Sequence, residues 1–268
     1  MANVKLNLGA QIDIAISADV DRPLMVCSHE RSGTHFLMNS IANSTKYTQE
    51  PFLNFDLIPL GASVNFFYSV SVDNFCKTIK NIQPQDQDQM LCTSSILKSH
   101  FPVSLAREAL KANLKAIYIY RNPVDTLISY WQFIHRWNWF EGPKTNTPLE
   151  LVAHSPAGQS QRYQLENYSS YFERWEKHVS DAFNLSKNED NIALVRYSDL
   201  KNDYENTILK CCDEINIEVA KKIDAPSKKD YIKGSSMDVS TQQYQEISEY
   251  CGMRIARSEI LPNNVMSA

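Results

Sequence analysis

The run Lys115-Ala116-Ile117-Tyr118-Ile119-Tyr120 is apolar, rich in β-branched and aromatic residues, and ends abruptly at Arg121-Asn122-Pro123. A run of that length and composition reads as a buried strand. Pro123 then suits the first turn of a helix, where its missing N–H is not needed. The pattern predicts a helix from there through about Phe140. A buried strand feeding a helix through a short polar link is the repeating unit of parallel sheets with helices on both faces.

Other segments repeat the unit. Pro23 to Ser28 is a short apolar run, followed by a polar loop from His29 to Thr34 and a helical stretch from Phe36 to Ala42. Ser94 to His100 reads as a strand stopped by Pro102, with a helix from Val103 to Asn113. Ile192 to Tyr197 is a further strand, and Tyr204 to Cys212 a further helix. Gln161 to Ser180 reads as a helix with Tyr168, Tyr171, Phe172 and Trp175 as its packing stripe. Residues 47–90 and 141–160 carry the Pro and Gly breakers of loops, the second of them a long loop or lid. The fold class is therefore α/β, with ligands expected beyond the carboxyl ends of the strands.

Composition narrows the function. Of 268 residues, 43% are hydrophobic and 22% charged, which supports a packed core rather than disorder. A net charge of −4 argues against nucleic acid as the main partner. No run approaches the roughly 18 apolar residues that span a bilayer, and the first 20 residues do not read as a signal peptide. Six cysteines without a C-x-x-C pair suit a reduced, cytoplasmic protein. No ligand cluster at metal spacing is visible, and His154 and His178 lack partners at such spacing.

Three strand ends carry the chemistry. In the first loop, Arg31-Ser32-Gly33-Thr34-His35 feeds a helix N-terminus, where unpaired N–H groups and the helix dipole stabilise an anion. Gly33 permits close backbone approach. The second cluster is Lys98-Ser99-His100: a neutral His can take a proton from an acceptor hydroxyl, and Lys can neutralise a leaving phosphate. In the third, Arg121 ends a strand and Ser129 lies about two helical turns on, so both can address one phosphate. Asp125 can bond within that loop or pair with a basic neighbour. Arg196 is read as an ion-pair partner and Cys211-Cys212 as a buried helix segment.

These segments, in this order, resemble the PAPS-dependent cytosolic sulfotransferase superfamily. Arg31-Ser32-Gly33-Thr34 is similar to its 5′-phosphosulfate loop, Pro-Lys-Ser-Gly-Thr. Leu97-Lys98-Ser99-His100-Phe101-Pro102 resembles the segment holding its catalytic His, and Tyr120 to Trp131 its 3′-phosphate motif. Val195 to Lys201 resembles its Tyr-Glu-Asp-Met segment, and Ile232 to Val239 keeps only Lys233, Gly234 and Asp238 of its C-terminal motif. The resemblance implies one P-loop NTPase-like domain over residues 1–268 with about five mostly parallel strands. It implies sulfuryl transfer from 3′-phosphoadenosine 5′-phosphosulfate (PAPS) to a small acceptor, leaving adenosine 3′,5′-bisphosphate (PAP), without a metal. His100 is then the base, with Lys98 and Arg31 at the leaving side. Ser32, Gly33, Thr34, His35, Phe36, Arg121, Ser129, Tyr197, Lys233 and Gly234 are the remaining nucleotide-site residues.

The departures are Arg31 for the family Lys, Glu30 for its Pro and Phe36 for its Trp. Glu30 is expected to pair with Arg31 or to reach an acceptor, and Phe36 to pack near an adenine. Residues 47–90 and 136–160 are the expected acceptor side. There Phe52, Phe55, Phe66, Phe67, Trp137 and Trp139 form either an apolar pocket or ordinary core. His135 is read as helix packing or pocket wall. Two other readings stay open: a non-catalytic nucleotide-binding protein on the same fold, and a P-loop phosphotransferase or NTPase. The second lacks its Gly-Lys-Ser/Thr signature here.

Overall fold

The computed structural model describes residues 2–7, 11–54, 92–137, 140–219, 223, 225–226 and 237–266. Its strands, in chain order, are β1 (Ala2–Asn7), β2 (Gln11–Ser17), β3 (Leu24–Cys27), β4 (Thr48–Asn54), β5 (Cys92–Thr93), β6 (Ser95–Ser99), β7 (Lys115–Tyr120) and β8 (Ile192–Arg196). Five of them form a sheet in the order β4-β6-β3-β7-β8, and every neighbouring pair is parallel. This is the mixed α/β architecture expected.

Every residue of β3 and β6 is buried, as a sheet covered on both faces requires. The side-chain alternation sorts the core. Met25 and Cys27 point to one face, with Leu97 and Tyr118, and Leu24 and Val26 to the other, with Ile117 and Ile119. The second face is covered by α1 (Thr34–Ser44) through Leu37, Met38 and Ile41. The first is covered by α2 (Arg107–Ala112) and by Ala182 and Leu185 of α5 (Tyr171–Ser186). A separate core joins α3 (Pro123–Arg136), α4 (Pro148–Ala153), α5 and α8 (Thr241–Ile255) around Trp131, Phe172, Trp175 and Cys251. Between β8 and α8 lie α6 (Tyr197–Asn202) and α7 (Tyr204–Glu214), the latter burying Cys211 and Cys212.

Several elements differ from the sequence reading. The helix expected over 161–180 begins at Tyr171, because the Ser170 hydroxyl accepts from Glu173 N and caps it there. Gly158–Tyr163 is instead a 3₁₀ turn. The stretch read as a long loop or lid contains α4, capped by Thr147, and is pinned where Trp131 Nε1 donates to the Thr145 carbonyl. The polar C-terminal third holds α8, opened by a capping box of Ser240 and Gln243. At the other end, β1 and β2 form an antiparallel hairpin that β5 extends to three strands.

Candidate active site

The carboxyl ends of β3, β6, β7 and β8 open on one cleft of about 570 Å³. That is a volume suited to a small-molecule site. In the β3–α1 loop, Arg31 (φ 68°) and Gly33 (φ 98°) both hold left-handed backbone. Alternation of this kind turns successive N–H groups inward into an anion-binding concavity. For Arg31 it also stores strain, on the order of 1–3 kcal/mol. Gly33 precedes α1 without any side-chain cap, so the first N–H groups of that helix are left for a ligand. A Cβ at Gly33 would collide with the Tyr197 ring, so only glycine fits there. The Thr34 and Ser28 hydroxyls bond each other at 2.5 Å. The Ser32 Oγ is fully buried without a hydrogen-bond partner, an orphan that an anion oxygen would satisfy.

At the end of β6, Lys98 is buried yet lines the cleft, with His100 two residues on. His100 Nδ1 lies 3.0 Å from the Ser28 carbonyl. A carbonyl only accepts, so Nδ1 carries the proton and Nε2 the lone pair. Burial, then the Lys98 charge, hold this imidazole well below its ordinary range, so it is neutral at pH 7. Tyr163 packs against it with centroids 5.4 Å apart. His35 is lowered in the same way by burial, Lys98 and Arg31.

At the end of β7, the Arg121 guanidinium lies over the Tyr197 ring at 4.9 Å and pairs with Asp125 at 3.3 Å. Asp125 also donates its N–H to Asn122 Oδ1, the α3 cap, so it takes both parts considered for it. Arg31 Nε donates to Ser129 Oγ at 3.1 Å, and its guanidinium lies 5.2 Å over Phe133. Burial, then the charges of Arg121 and Arg136, push the Arg31 pKa down: like charges are gathered here, as a polyanion site requires. The cleft thus brings together Arg31, Gly33, Thr34, His35, Phe36, Lys98, His100, Arg121, Ser129 and Tyr197. Ser32, between Arg31 and Gly33, is fully buried and does not line the cleft. Lys233 and Gly234 lie outside the described residues, as do Phe55, Phe66, Phe67 and Trp139. Phe36 packs between Tyr197 and Tyr204, while Phe52 meets the His35 ring. His135 packs on Trp131 and Arg196 pairs with Asp199, both as read from the sequence.

One expectation is corrected in part. Glu30 does not pair with Arg31: Arg174 Nη2 bonds both of its oxygens, at 2.7 and 2.8 Å, while Glu30 still lines the cleft. Burial pushes the Glu30 carboxyl up, but the charges of Arg174 and its neighbours outweigh this and hold it well below the carboxylate range. Sequence reasoning also missed Arg162 and Tyr163, which line the cleft, with Arg162 paired to buried Glu141 at 2.5 Å. It missed Val239 and Tyr244, which reach the cleft from the α8 side, with Tyr244 Oη donating to Asp125 at 3.3 Å. For Arg174 the available signal was a charge among Tyr171, Phe172 and Trp175; Arg162 sits in a polar stretch and gave none. Among the described residues, no group of three His, Cys, Asp or Glu is placed to hold a metal, and no helix is long and apolar enough to cross a membrane.

Comparison with known proteins agrees in kind. An amine sulfotransferase of Oryctolagus cuniculus is 32% identical over 123 residues, covering 43% of this chain and 34% of that protein. Sulfotransferase 2A1 of Rattus norvegicus is 25% identical over 234 residues, covering 86% of this chain and 70% of that one. The match thus spans about a third of the first relative's length. The crystal structure of mouse sulfotransferase SULT7A1 complexed with PAP superposes with a TM-score of 0.46 at 18% identity, over 92% of this chain and 74% of that one. The profile of the sulfotransferase domain family matches residues 21–259, nearly the whole chain, and the chain belongs to that family.

Proposed function

We propose that the chain works as one sulfotransferase domain, in the cytoplasm, moving a sulfuryl group from PAPS to a hydroxyl or amine of a small acceptor. The observation that carries this is the convergence of Arg31, Lys98 and Arg121 with the α1 N-terminus and a neutral His100 on one cleft. The loop fits a phosphosulfate: a left-handed concavity, uncapped N–H groups and an orphaned Ser32 hydroxyl. Arg121 and Ser129 are assigned to the 3′-phosphate, with Tyr197 and Phe36 as the aromatic wall of the nucleotide. Lys233 and Gly234 remain assigned from the sequence.

In the reaction, the acceptor oxygen or nitrogen forms a bond to sulfur as the bond from sulfur to the 5′-phosphate oxygen breaks. The electron pair stays on that oxygen, and PAP departs. His100 Nε2 takes the acceptor proton, and Lys98 and Arg31 stabilise the charge left behind. Positioning and preorganised charge supply the rate, as in phosphoryl transfer, and no metal is required of these residues. Arg31 in place of Lys suits charge stabilisation, since a guanidinium does not give up its proton. Ile128, Phe133 and Tyr163 add apolar and aromatic surface to a wall that also carries Glu30, Gln132 and Arg162, which suits an acceptor with an apolar body and a polar group.

Calorimetric titration with PAP, beside ATP and magnesium, tests the donor site. Tight PAP and weak ATP binding are expected; preference for ATP would return the P-loop phosphotransferase reading. His100→Ala should then abolish turnover with PAP affinity unchanged. A wild-type protein that binds PAP yet transfers to no acceptor is the non-catalytic protein instead.

A further inference from the structure

Behind the cleft, and reaching its wall at Glu30, lies a polar cluster that the transfer chemistry does not use. Glu30, Arg174, His29 and His178 are all buried, Arg174 being 1% exposed. Arg174 and His178 stand one turn apart on α5, so both face the sheet. Arg174 grips Glu30, the residue that enters the strained loop, with one guanidinium nitrogen on both carboxylate oxygens. Its Nη1 lies 3.4 Å from His29 Nε2, and its plane sits 5.8 Å over the Tyr130 ring. His29 Nδ1 donates to the Glu30 carbonyl at 2.9 Å, so Nε2 is left to face Arg174 as an acceptor. One turn on, His178 Nε2 lies 3.0 Å from the His100 carbonyl, and its Nδ1 2.6 Å from Tyr118 Oη. The carbonyl requires the proton on Nε2, and Nδ1 then accepts from the tyrosine.

We propose that this turn of α5 is a brace that positions both halves of the active site: Arg174, through Glu30, sets the anion-binding loop, and His178 sets the backbone of His100. Arg31 and Gly33 are both left-handed, and no side chain caps α1, so the conformation depends on its neighbours. Beside the Ser28–Thr34 and Arg31–Ser129 bonds, Glu30 ties the entry of the loop to α5. A buried ion pair is a poor source of stability, but it is highly directional. His178 holds the main chain of His100 while Ser28 holds its ring, which together fix where Nε2 points. Arg174, Glu30 and His178 are therefore positioning residues, not catalytic ones. The assignment of loop and base rests on the donor-site reading given above.

Three variants test it. In Glu30→Gln/Arg174→Met both charges go together, so no lone buried charge remains. Its thermal midpoint should stay near wild type while PAP affinity by calorimetry falls about 10–100-fold, the scale of a small misplacement in a preorganised site. Arg174→Lys keeps the charge without the fork, and serves if the double variant does not fold; an intermediate loss is expected. For the second half, ¹⁵N spectra of the histidine rings report the His100 tautomer. It should be pure Nδ1–H in wild type, mixed in His178→Ala, and restored in His178→Gln, whose amide can donate to the same carbonyl. Wild-type PAP affinity in folded Glu30→Gln/Arg174→Met or Arg174→Lys, or an unchanged His100 signature in His178→Ala, overturns the brace. Failure of the wild type to bind PAP falls instead on the donor-site reading, and the His100 signature alone then decides the brace.

Discussion

Replacing Gly33 by Ala puts a number on the loop. The added Cβ meets two obstacles that the structure separates. The first is the backbone: at φ 98° an L-residue is left-handed, at roughly 1–2 kcal/mol. The second is Tyr197, whose Cε2 lies 2.7 Å from the ideal Cβ position, well inside contact distance. Relief means moving a ring that also meets Phe36 edge to face and carries Arg121, an overpacking cost of roughly 1–3 kcal/mol. Together these are about 2–5 kcal/mol, or roughly 5–15 °C in thermal midpoint for a chain of this size. Differential scanning calorimetry measures the shift. The double variant Gly33→Ala/Tyr197→Ala should recover the steric part relative to Tyr197→Ala alone and retain the backbone part. PAP affinity should drop in Gly33→Ala, since the N–H groups that Gly33 directs are displaced with it. A Gly33→Ala protein with wild-type midpoint and affinity would refute the left-handed concavity as the anion site.

Other outcomes follow from the same packing. His29 is pushed down to about 3 by burial, so the unfolded chain binds more protons between about 3 and 6.5. Stability from this group is full above 6.5 and lost as pH falls through that window; the fall of the urea midpoint between pH 7 and 4 should be shallower in His29→Gln, with the slope from the other buried imidazoles remaining. Turnover should hold as pH falls through 6.5 and decline only well below it, because the imidazole of His100 is held low and must be neutral to act; a pH–rate profile with a midpoint near 6.5 would contradict this. Lys115, buried, bonds Asp21 at 2.9 Å and the Asn216 carbonyl at 2.7 Å, so Lys115→Met should cost about 1–3 kcal/mol in urea unfolding. Trp175→Ala empties the helical core and should cost about 3–5 kcal/mol by the same assay.

What the sequence discloses depends on how local its cause is. β7 and the turn at Arg121-Asn122-Pro123 were legible because burial on both faces writes a continuous apolar run and proline marks the helix start. β4 was not, since Pro51 argues against a strand; it is tolerated because β4 is an edge strand. The start of α5 was misplaced by about ten residues because the aromatic stripe is helical in spacing whether or not Ser170 interrupts it. The chemistry of Arg31, Lys98, His100 and Arg121 was visible at strand ends. The Glu30–Arg174 pair spans 144 residues, and no local pattern announces a contact of that range. Arg162 and Tyr163 were hidden for a simpler reason: the segment read as helix is a 3₁₀ turn that swings them to the cleft.

The segment from Cys92 to Ser99 belongs to two sheets at once: β5 pairs with the N-terminal hairpin and β6 with the parallel sheet, with only Ser94 between them. Ser94 N donates to the Ala15 carbonyl and Ala15 N to Ser95 Oγ, contacts that close about 80 residues of chain. Closing so long a loop is slow, and nothing rewards it until β6, the strand that leads to His100, is docked. Docking of the hairpin, rather than its own local pairing, is thus expected late in folding. Weakening the bonds at Ala15 should speed unfolding and leave the folding rate nearly untouched.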